Sequence, residues 1–319
     1  MGSEHIDTGV EEVVMSVIAW IGLGHMGAPM AGNLVAAGHE VRGFDVAAEA
    51  AADASARGVR VTASIAEAVA GAEAVFTSLP RSEHVRAVYE GPGGVWETAP
   101  ASALLLDTST VDVETSRWCH EQSGARGIRF VDAPVSGGIA GAAAGTLTVM
   151  LGGEAEATAL ARGFVEPFAG HVFELGGATS GIAAKLANNL MLFVSLLGVA
   201  EGAALAASLG LDPERFFEVA AVSSGESWPL RTWYPAPGVV PTSPANRNFD
   251  ATFTAALAEK DLSFAVEAAG AAGVRTPAAR IALDQFERLI GEGYGAKDCS
   301  LIAKFASPDG RIAGFDPQA

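Results

Sequence analysis

Along the first half of the chain, short and nearly unbroken apolar runs alternate with longer stretches in which alanine and charged residues recur at helical spacing. The runs at 16–21, 40–44, 74–78, 103–107, 129–132, 146–151 and 172–175 predict strands. Most lack the alternation of a half-exposed strand, so they predict strands covered on both faces. Strands taking turns with helices imply an α/β unit on a parallel sheet. After Gly176-Gly177 the strand pattern stops, and helices are predicted at about 181–209, 213–222, 253–270, 277–292 and 296–305. The expected organisation is a loose extension over 1–14, an α/β domain over 15–178 and an all-helical domain over 179–319, joined by the long helix.

Two stretches stand apart from this rhythm. A Pro-rich loop at 228–249 carries Pro229, Pro235, Pro237, Pro241 and Pro244, and a loop that long inside a compact domain is more often functional than filler. Its aromatics Trp228, Trp233 and Tyr234 suit either a lid over a site or a staple to the core. The most apolar stretch, 190–200, falls short of the ~18 to 20 apolar residues a bilayer span needs, and predicts a buried helix, not an anchor.

Charge narrows the function classes. Of 319 residues, 20 are Lys or Arg and 37 are Asp or Glu, a net charge of −17. That sign excludes a general nucleic-acid binder, which must neutralise phosphates. Cys119 and Cys299 are too few for a disulfide framework or a thiolate zinc site, so a reduced, cytoplasmic setting is expected. The histidines have no metal-ligand spacing, and no metal is expected. The acidic opening residues lack the basic start and apolar run of a targeting signal.

The first chemical signal is Gly22-Leu23-Gly24-His25-Met26-Gly27, which follows the first predicted strand and opens a predicted helix at 28–37. Between a strand and a helix this spacing is a dinucleotide fingerprint. The first glycine permits the tight turn, the second lets backbone approach a pyrophosphate, and the third lets helix pack on strand. Free N–H groups at the helix start then face the phosphates, so His25 acts there through its backbone. Asp45 stands at the end of the next strand, 18 residues beyond Gly27. A carboxylate there accepts from a ribose and repels a 2′-phosphate, which favours NAD over NADP, although a strand-end acid can also simply be solvated.

Two further patterns are weaker alone. Asp132-Ala133-Pro134-Val135-Ser136-Gly137-Gly138 ends an apolar strand in a turn that could cradle an anion, or could be only a turn. In the long helix, Lys185 and Asn189 share a face at i and i+4. No charge follows Lys185 until Glu201, so the lysine borders a buried region or snorkels from it. Burial would lower its pKa toward a range useful for acid–base work.

Together these stretches, with Gly181-Ile182-Ala183-Ala184-Lys185-Leu186-Ala187-Asn188-Asn189 and Lys260-Asp261-Leu262, resemble the β-hydroxyacid dehydrogenases in order and spacing. The Pro-rich loop, with Ser223-Ser224-Gly225-Glu226-Ser227-Trp228, is similar to that of the 3-hydroxyisobutyrate dehydrogenase branch. The resemblance covers about residues 16–305 and implies an α/β Rossmann-like N-terminal domain with an all-α C-terminal domain. It implies NAD-dependent oxidation of (S)-3-hydroxyisobutyrate to methylmalonate semialdehyde in valine catabolism, by a homodimer or homotetramer. It assigns Lys185 as the acid/base and Asn189 as its substrate-binding neighbour. Ser136, Gly137 and Gly138 would hold the substrate carboxylate. Leu79, Pro80, His84, Thr110 and Lys260 would line the nicotinamide half of the cofactor site, and Lys260, if near, would depress the Lys185 pKa further. This chain departs from the family pattern at His84, which replaces an Asn, at Thr179, which replaces a Gly, and at Ile182, which replaces a Gln.

A sister enzyme such as a tartronate semialdehyde reductase would use the same chemistry. A phosphogluconate enzyme is disfavoured by the short helical half and the lack of an Arg cluster. A non-catalytic NAD-binding module on the same fold is the alternative from another class.

Overall fold

A computed structural model describes residues 15–307 and 309–318. The extension expected over 1–14 lies outside them. The α/β half begins β1 (Val17–Ile21), α1 (Gly27–Ala36), β2 (Glu40–Phe44), α2 (Ala48–Ala56), β3 (Arg60–Val61), α3 (Ile65–Val69) and β4 (Ala74–Thr77). It continues through α4 (Ser82–Glu90), α5 (Val95–Thr98), β5 (Leu104–Asp107), α6 (Val113–Ala125) and β6 (Arg129–Asp132). These strands form one parallel sheet in the order β3-β2-β1-β4-β5-β6. The chain reverses its direction of travel between β1 and β4, and the crevice outside the carboxyl ends of those strands is where such sheets bind ligands.

The unbroken apolar runs follow from this layering. Ile18 and Trp20 of β1 enter one core with Leu34, Phe76 and Leu106. Ala19 and Ile21, on the other face, enter a second with Val75 and Leu105. Alternate residues point to opposite faces, and here both faces are covered.

The parallel-sheet expectation holds only as far as β6. Beyond it, β7 (Val135–Ser136), α7 (Gly138–Ala144), β8 (Leu147–Leu151), α8 (Ala155–Val165) and β9 (Ala169–Glu174) form a separate three-stranded sheet. β7 runs antiparallel and β8–β9 parallel. A two-residue jog out of the Asp132–Gly138 turn makes the antiparallel pair possible, and nothing in its composition announces a strand.

The second half is helical: α9 (Ser180–Ser208), α10 (Pro213–Ala220), α11 (Trp228–Trp233), α12 (Ala255–Ala271) and α13 (Pro277–Gly291). The helix expected at 296–305 is a 3-10 turn over Cys299–Ala306, started by Asp298, whose side chain accepts from Ser300 N. The Pro-rich stretch is not structureless. It holds α11, capped by Ser227, and a short 3-10 turn at Pro244–Arg247. Trp233 and Tyr234 are buried and bond Thr252 Oγ1 at 3.1 Å and Pro213 O at 3.0 Å, so they staple this segment down. Trp228 remains 47% exposed.

By length and composition α9 is apolar enough to cross a bilayer. Here one stripe of it, Lys185, Asn189, Phe193, Leu196 and Ala200, is buried against the neighbouring elements, while Met191 and Leu205 face outward.

Candidate active site

The glycine loop leaves β1 with the geometry its spacing predicts. Gly22 has φ +96°, and a Cβ there would collide with the Ser78 carbonyl. A Cβ on Gly27 would strike Gly22 O. Gly24 is different: a Cβ on it would meet nothing within 4 Å, so its backbone faces open space on the exposed side with His25. The start of α1 has no side-chain cap and no acid in its first turn. An open glycine backbone before an uncapped helix N-terminus is a cradle that fits a dinucleotide pyrophosphate. Leu23 points inward, only 1% exposed, and Met26 is half-buried.

Asp45 ends β2 at this loop. Its Oδ2 accepts from Leu23 N at 2.6 Å and its Oδ1 from Ala47 N at 2.8 Å, so the orientation of the carboxylate is fixed by backbone N–H groups. Arg42 turns away to Glu40 and the Ala70 carbonyl, as an odd separation along a strand requires.

The opposite wall is built from the ends of β4 and β5. Leu79 N donates to Ser109 Oγ at 2.9 Å, and Ser109 Oγ donates to Asp107 Oδ1 at 2.6 Å. Thr77 Oγ1 donates to the same oxygen at 2.7 Å. Burial, against those hydrogen bonds, holds the Asp107 pKa up at about 6. The Thr110 carbonyl accepts from Lys260 Nζ at 2.7 Å, which brings these two predicted cofactor residues into contact across 150 positions of sequence. Pro80 and His84 are exposed, His84 in the first turn of α4. A cleft of about 320 Å³ opens beside Lys260, between Ser82, Asp112 and Phe264. The larger cavity, about 440 Å³, lies among Glu73, Leu104, Arg129 and Phe164. That is the amino-terminal edge of the sheet, away from the glycine loop and from where parallel sheets bind ligands.

Lys185 is buried, 8% exposed, in the second turn of α9. Burial lowers its pKa from 10.5; the Asp261 carboxylate opposes the shift and the Lys260 ammonium adds to it. Asp261 spends its own oxygens elsewhere: Oδ2 accepts from Asn189 Nδ2 at 2.8 Å and Oδ1 pairs with Lys260 Nζ at 3.1 Å. The group is therefore two lysines, one carboxylate and one amide held between α9 and α12, and burial lowers the pKa of the Lys185 amine within it.

Ser136 is half-buried at the end of β7, where it pairs with Thr148. Gly137 and Gly138 follow at φ +134° and +67° and open α7, both exposed. Side chains are unwelcome at those angles, and the backbone N–H groups are left accessible.

Sequence reasoning missed Asp261, named only as part of a motif, and the anchoring role of Asp132. Asp132 accepts from Ile182 N at 2.7 Å, Thr179 N at 3.1 Å and lies 2.6 Å from His120 Nε2. An acid at the end of a buried strand was the available signal, but its partners lie 12, 47 and 50 residues away. Thr179 keeps a left-handed backbone, φ +68° and ψ 1°, in place of the family glycine, and Ile182, in place of a Gln, is buried in the core. Among the described residues no group of His, Cys, Asp and Glu could hold a metal ion. Cys119 and Cys299 are buried thiols, with burial pushing both pKa values up.

Comparison with known proteins matches residues 17–177 to the NAD binding domain of 6-phosphogluconate dehydrogenase. Residues 179–306 match the family described as NAD-binding of NADP-dependent 3-hydroxyisobutyrate dehydrogenase. A probable 3-hydroxyisobutyrate dehydrogenase of Mycobacterium tuberculosis is 44% identical over 278 residues, 87% of this chain and 94% of the relative. An NAD-dependent L-serine dehydrogenase of Pseudomonas aeruginosa is 41% identical over 294 residues, 92% of this chain and 99% of the relative. Among solved structures, that of Mycobacterium tuberculosis 3-hydroxyisobutyrate dehydrogenase with L-serine gives a TM-score of 0.83 at 43% identity, covering 91% of this chain and 99% of that one.

Proposed function

Because the chain belongs to the 3-hydroxyisobutyrate dehydrogenase family of NAD-dependent oxidoreductases, we propose that it oxidises (S)-3-hydroxyisobutyrate to methylmalonate semialdehyde, a step of valine catabolism. The observation that carries this reading is the buried Lys185 amine, with its pKa lowered by burial, on the same helix face as Asn189.

When bound, NAD supplies the acceptor for the hydride that leaves the alcohol carbon. The chain has one proton to move. Neutral Lys185 takes it from the substrate hydroxyl to Nζ during oxidation, and the resulting ammonium returns it to the carbonyl oxygen in reverse. Asn189, fixed by Asp261, offers its remaining amide N–H to the substrate oxygen. The Ser136 hydroxyl and the N–H groups of Gly137 and Gly138 receive the carboxylate. Gly22, Leu23, Gly24, His25, Met26 and Gly27 supply the pyrophosphate cradle and Asp45 the ribose acceptor. Leu79, Pro80, His84, Thr110 and Lys260 border the nicotinamide half. A positioned acid/base of this kind contributes about 10²- to 10⁴-fold. Apolar side chains left exposed on and after α9 and α10, among them Met191, Leu205 and Val222, support association into a homodimer or homotetramer.

A second reading, L-serine as substrate, is supported by the 41% identity to the Pseudomonas L-serine dehydrogenase. Serine is likewise a carboxylate with a 3-hydroxyl, so the same proton transfer applies. Initial rates with (S)-3-hydroxyisobutyrate and L-serine, each with NAD, separate the two. A higher kcat/KM for (S)-3-hydroxyisobutyrate is expected. A preference for serine moves the assignment to the second reading, and no NAD reduction with either substrate overturns both.

A further inference from the structure

We propose that His120 and Asp132 act as a positioning pair for this reaction, pinning the first turn of α9 so that Lys185 and the Ser136–Gly138 turn keep one fixed relation. The inference deepens the functional reading above and rests on it.

Asp132 stands where the two halves of the proposed substrate site meet. It is the last residue of β6, four positions before Ser136, and its carboxylate reaches across to the start of α9. Oδ2 accepts from Ile182 N at 2.7 Å and Oδ1 from Thr179 N at 3.1 Å. Ile182 precedes Lys185 by three residues, so the two lie on one face of the helix. A single carboxylate thereby ties the anion-binding turn to the helix that carries the amine.

His120, on α6, completes the arrangement. Its Nε2 lies 2.6 Å from Asp132 Oδ1, and its ring sits edge-on to Phe130 with centroids 4.7 Å apart. The His120 and Asp132 side chains are 12% and 5% exposed, so water competes little for this bond. The other acid facing Asp132 is Asp107, its register partner on β5. Room for movement is small. Asp132 and Gly152 exchange backbone hydrogen bonds of 3.0 and 2.8 Å. A Cβ on Gly152 would come within 2.6 Å of Asp132 Oδ1, and one on Gly181 within 2.7 Å of Asp132 O.

The pinned turn is also strained. Thr179 adopts φ +68°, a left-handed conformation that a β-branched residue takes only when its surroundings impose it. At this turn both Thr179 N and Ile182 N donate to Asp132. The side-chain hydrogen bonds of His120 and Asp132 go to each other and to the backbone at the start of α9, so their effect on the reaction passes through the helix. Misplacing a reacting group by about 1 Å can cost on the order of 10²-fold in rate.

The test compares His120→Phe, which keeps a ring against Phe130 but loses the bond, with His120→Gln, which restores a donor. In the Phe variant kcat should fall about tenfold or more, with KM for NAD unchanged and faster amide exchange confined to 179–186. The Gln variant should recover most of the lost kcat and exchange protection. If the Phe variant does not fold, His120→Ala takes its place with the same readouts. Unchanged kcat, exchange that quickens throughout the chain, or a folded Gln variant no better than Phe overturns the proposal. If the unaltered protein shows no turnover, the functional reading fails by itself. Unchanged exchange at 179–186 in the folded variant then still overturns the pinning.

Discussion

Asn189 and Asp261, 72 residues apart, are joined by a 2.8 Å hydrogen bond from Nδ2 to Oδ2 that ties α9 to α12. The same carboxylate pairs with Lys260 and raises the pKa of Lys185 against the effect of burial. Its charge and its hydrogen bond are separable by mutation. Asp261→Asn keeps an acceptor for Asn189 but removes the charge, so the Lys185 pKa falls further. In the proposed mechanism oxidation requires the neutral amine, so its rate rises with pH through that pKa. The rising limb of the pH profile of kcat should therefore move to lower pH. An unmoved limb would show that Asp261 does not tune the lysine.

Lys185→Met should lower kcat about 10²- to 10⁴-fold, as loss of a positioned acid/base does, while NADH binding followed by fluorescence stays near the wild-type value. The same change should stabilise the fold. A lysine whose pKa is lower in the folded than in the unfolded state binds protons more weakly when folded, so its contribution opposes folding at neutral pH and fades as pH rises. Removing it should raise stability by about 0.5 to 2 kcal/mol, measured by denaturant unfolding at pH 7.

Asp45→Ser should erode coenzyme discrimination. In the proposed cofactor site the aspartate repels a 2′-phosphate and accepts from a ribose hydroxyl, so its loss should raise KM for NAD and lower that for NADP. Kinetics with both coenzymes check this, and an unchanged ratio of their kcat/KM values removes Asp45 from the cofactor site.

Asp107→Asn bears on stability against pH. The Asp107 pKa is about 6 in the fold and 3.8 as the reference value. Between those pH values the folded chain holds the proton more tightly than the unfolded one, so this group's contribution to stability falls as pH rises through that window. Unfolding curves from pH 4 to 7 should show that component missing in the Asn variant.

Thr179→Gly should raise the melting temperature. Glycine occupies the left-handed region without the steric cost borne by threonine, and release of such strain is worth on the order of 1 kcal/mol. Calorimetry reads the shift directly. A lower melting temperature would mean that the lost methyl and hydroxyl contacts outweigh the strain.

How much of this was legible in the sequence depended on whether the determinant was local. The β1–α1–β2 unit could be read because an apolar run, three glycines at fixed spacing and a strand-end acid are neighbours in the chain. The two-residue strands β3 and β7 could not, since Arg60–Val61 and Val135–Ser136 are too short to show a period. α11 was hidden among prolines, although Ser227 followed two residues later by Pro229 is a helix-start signature. The motif lysine could be read as a candidate, but its environment could not. Asp261 reaches Asn189 and Lys260 meets Thr110 only after α12 folds back over α9, across 72 and 150 residues. The anchoring of α9 by Asp132 is similarly non-local.

The bonds from Leu23 N and Ala47 N to Asp45 mean that the carboxylate at the end of β2 is held in place by the chain's own backbone. A ligand that bonds to this carboxylate meets a template already set, so little conformational entropy is left to lose there. On the cofactor placement proposed above, an adenosine-side fragment such as AMP is the ligand for which this end of the chain needs least rearrangement.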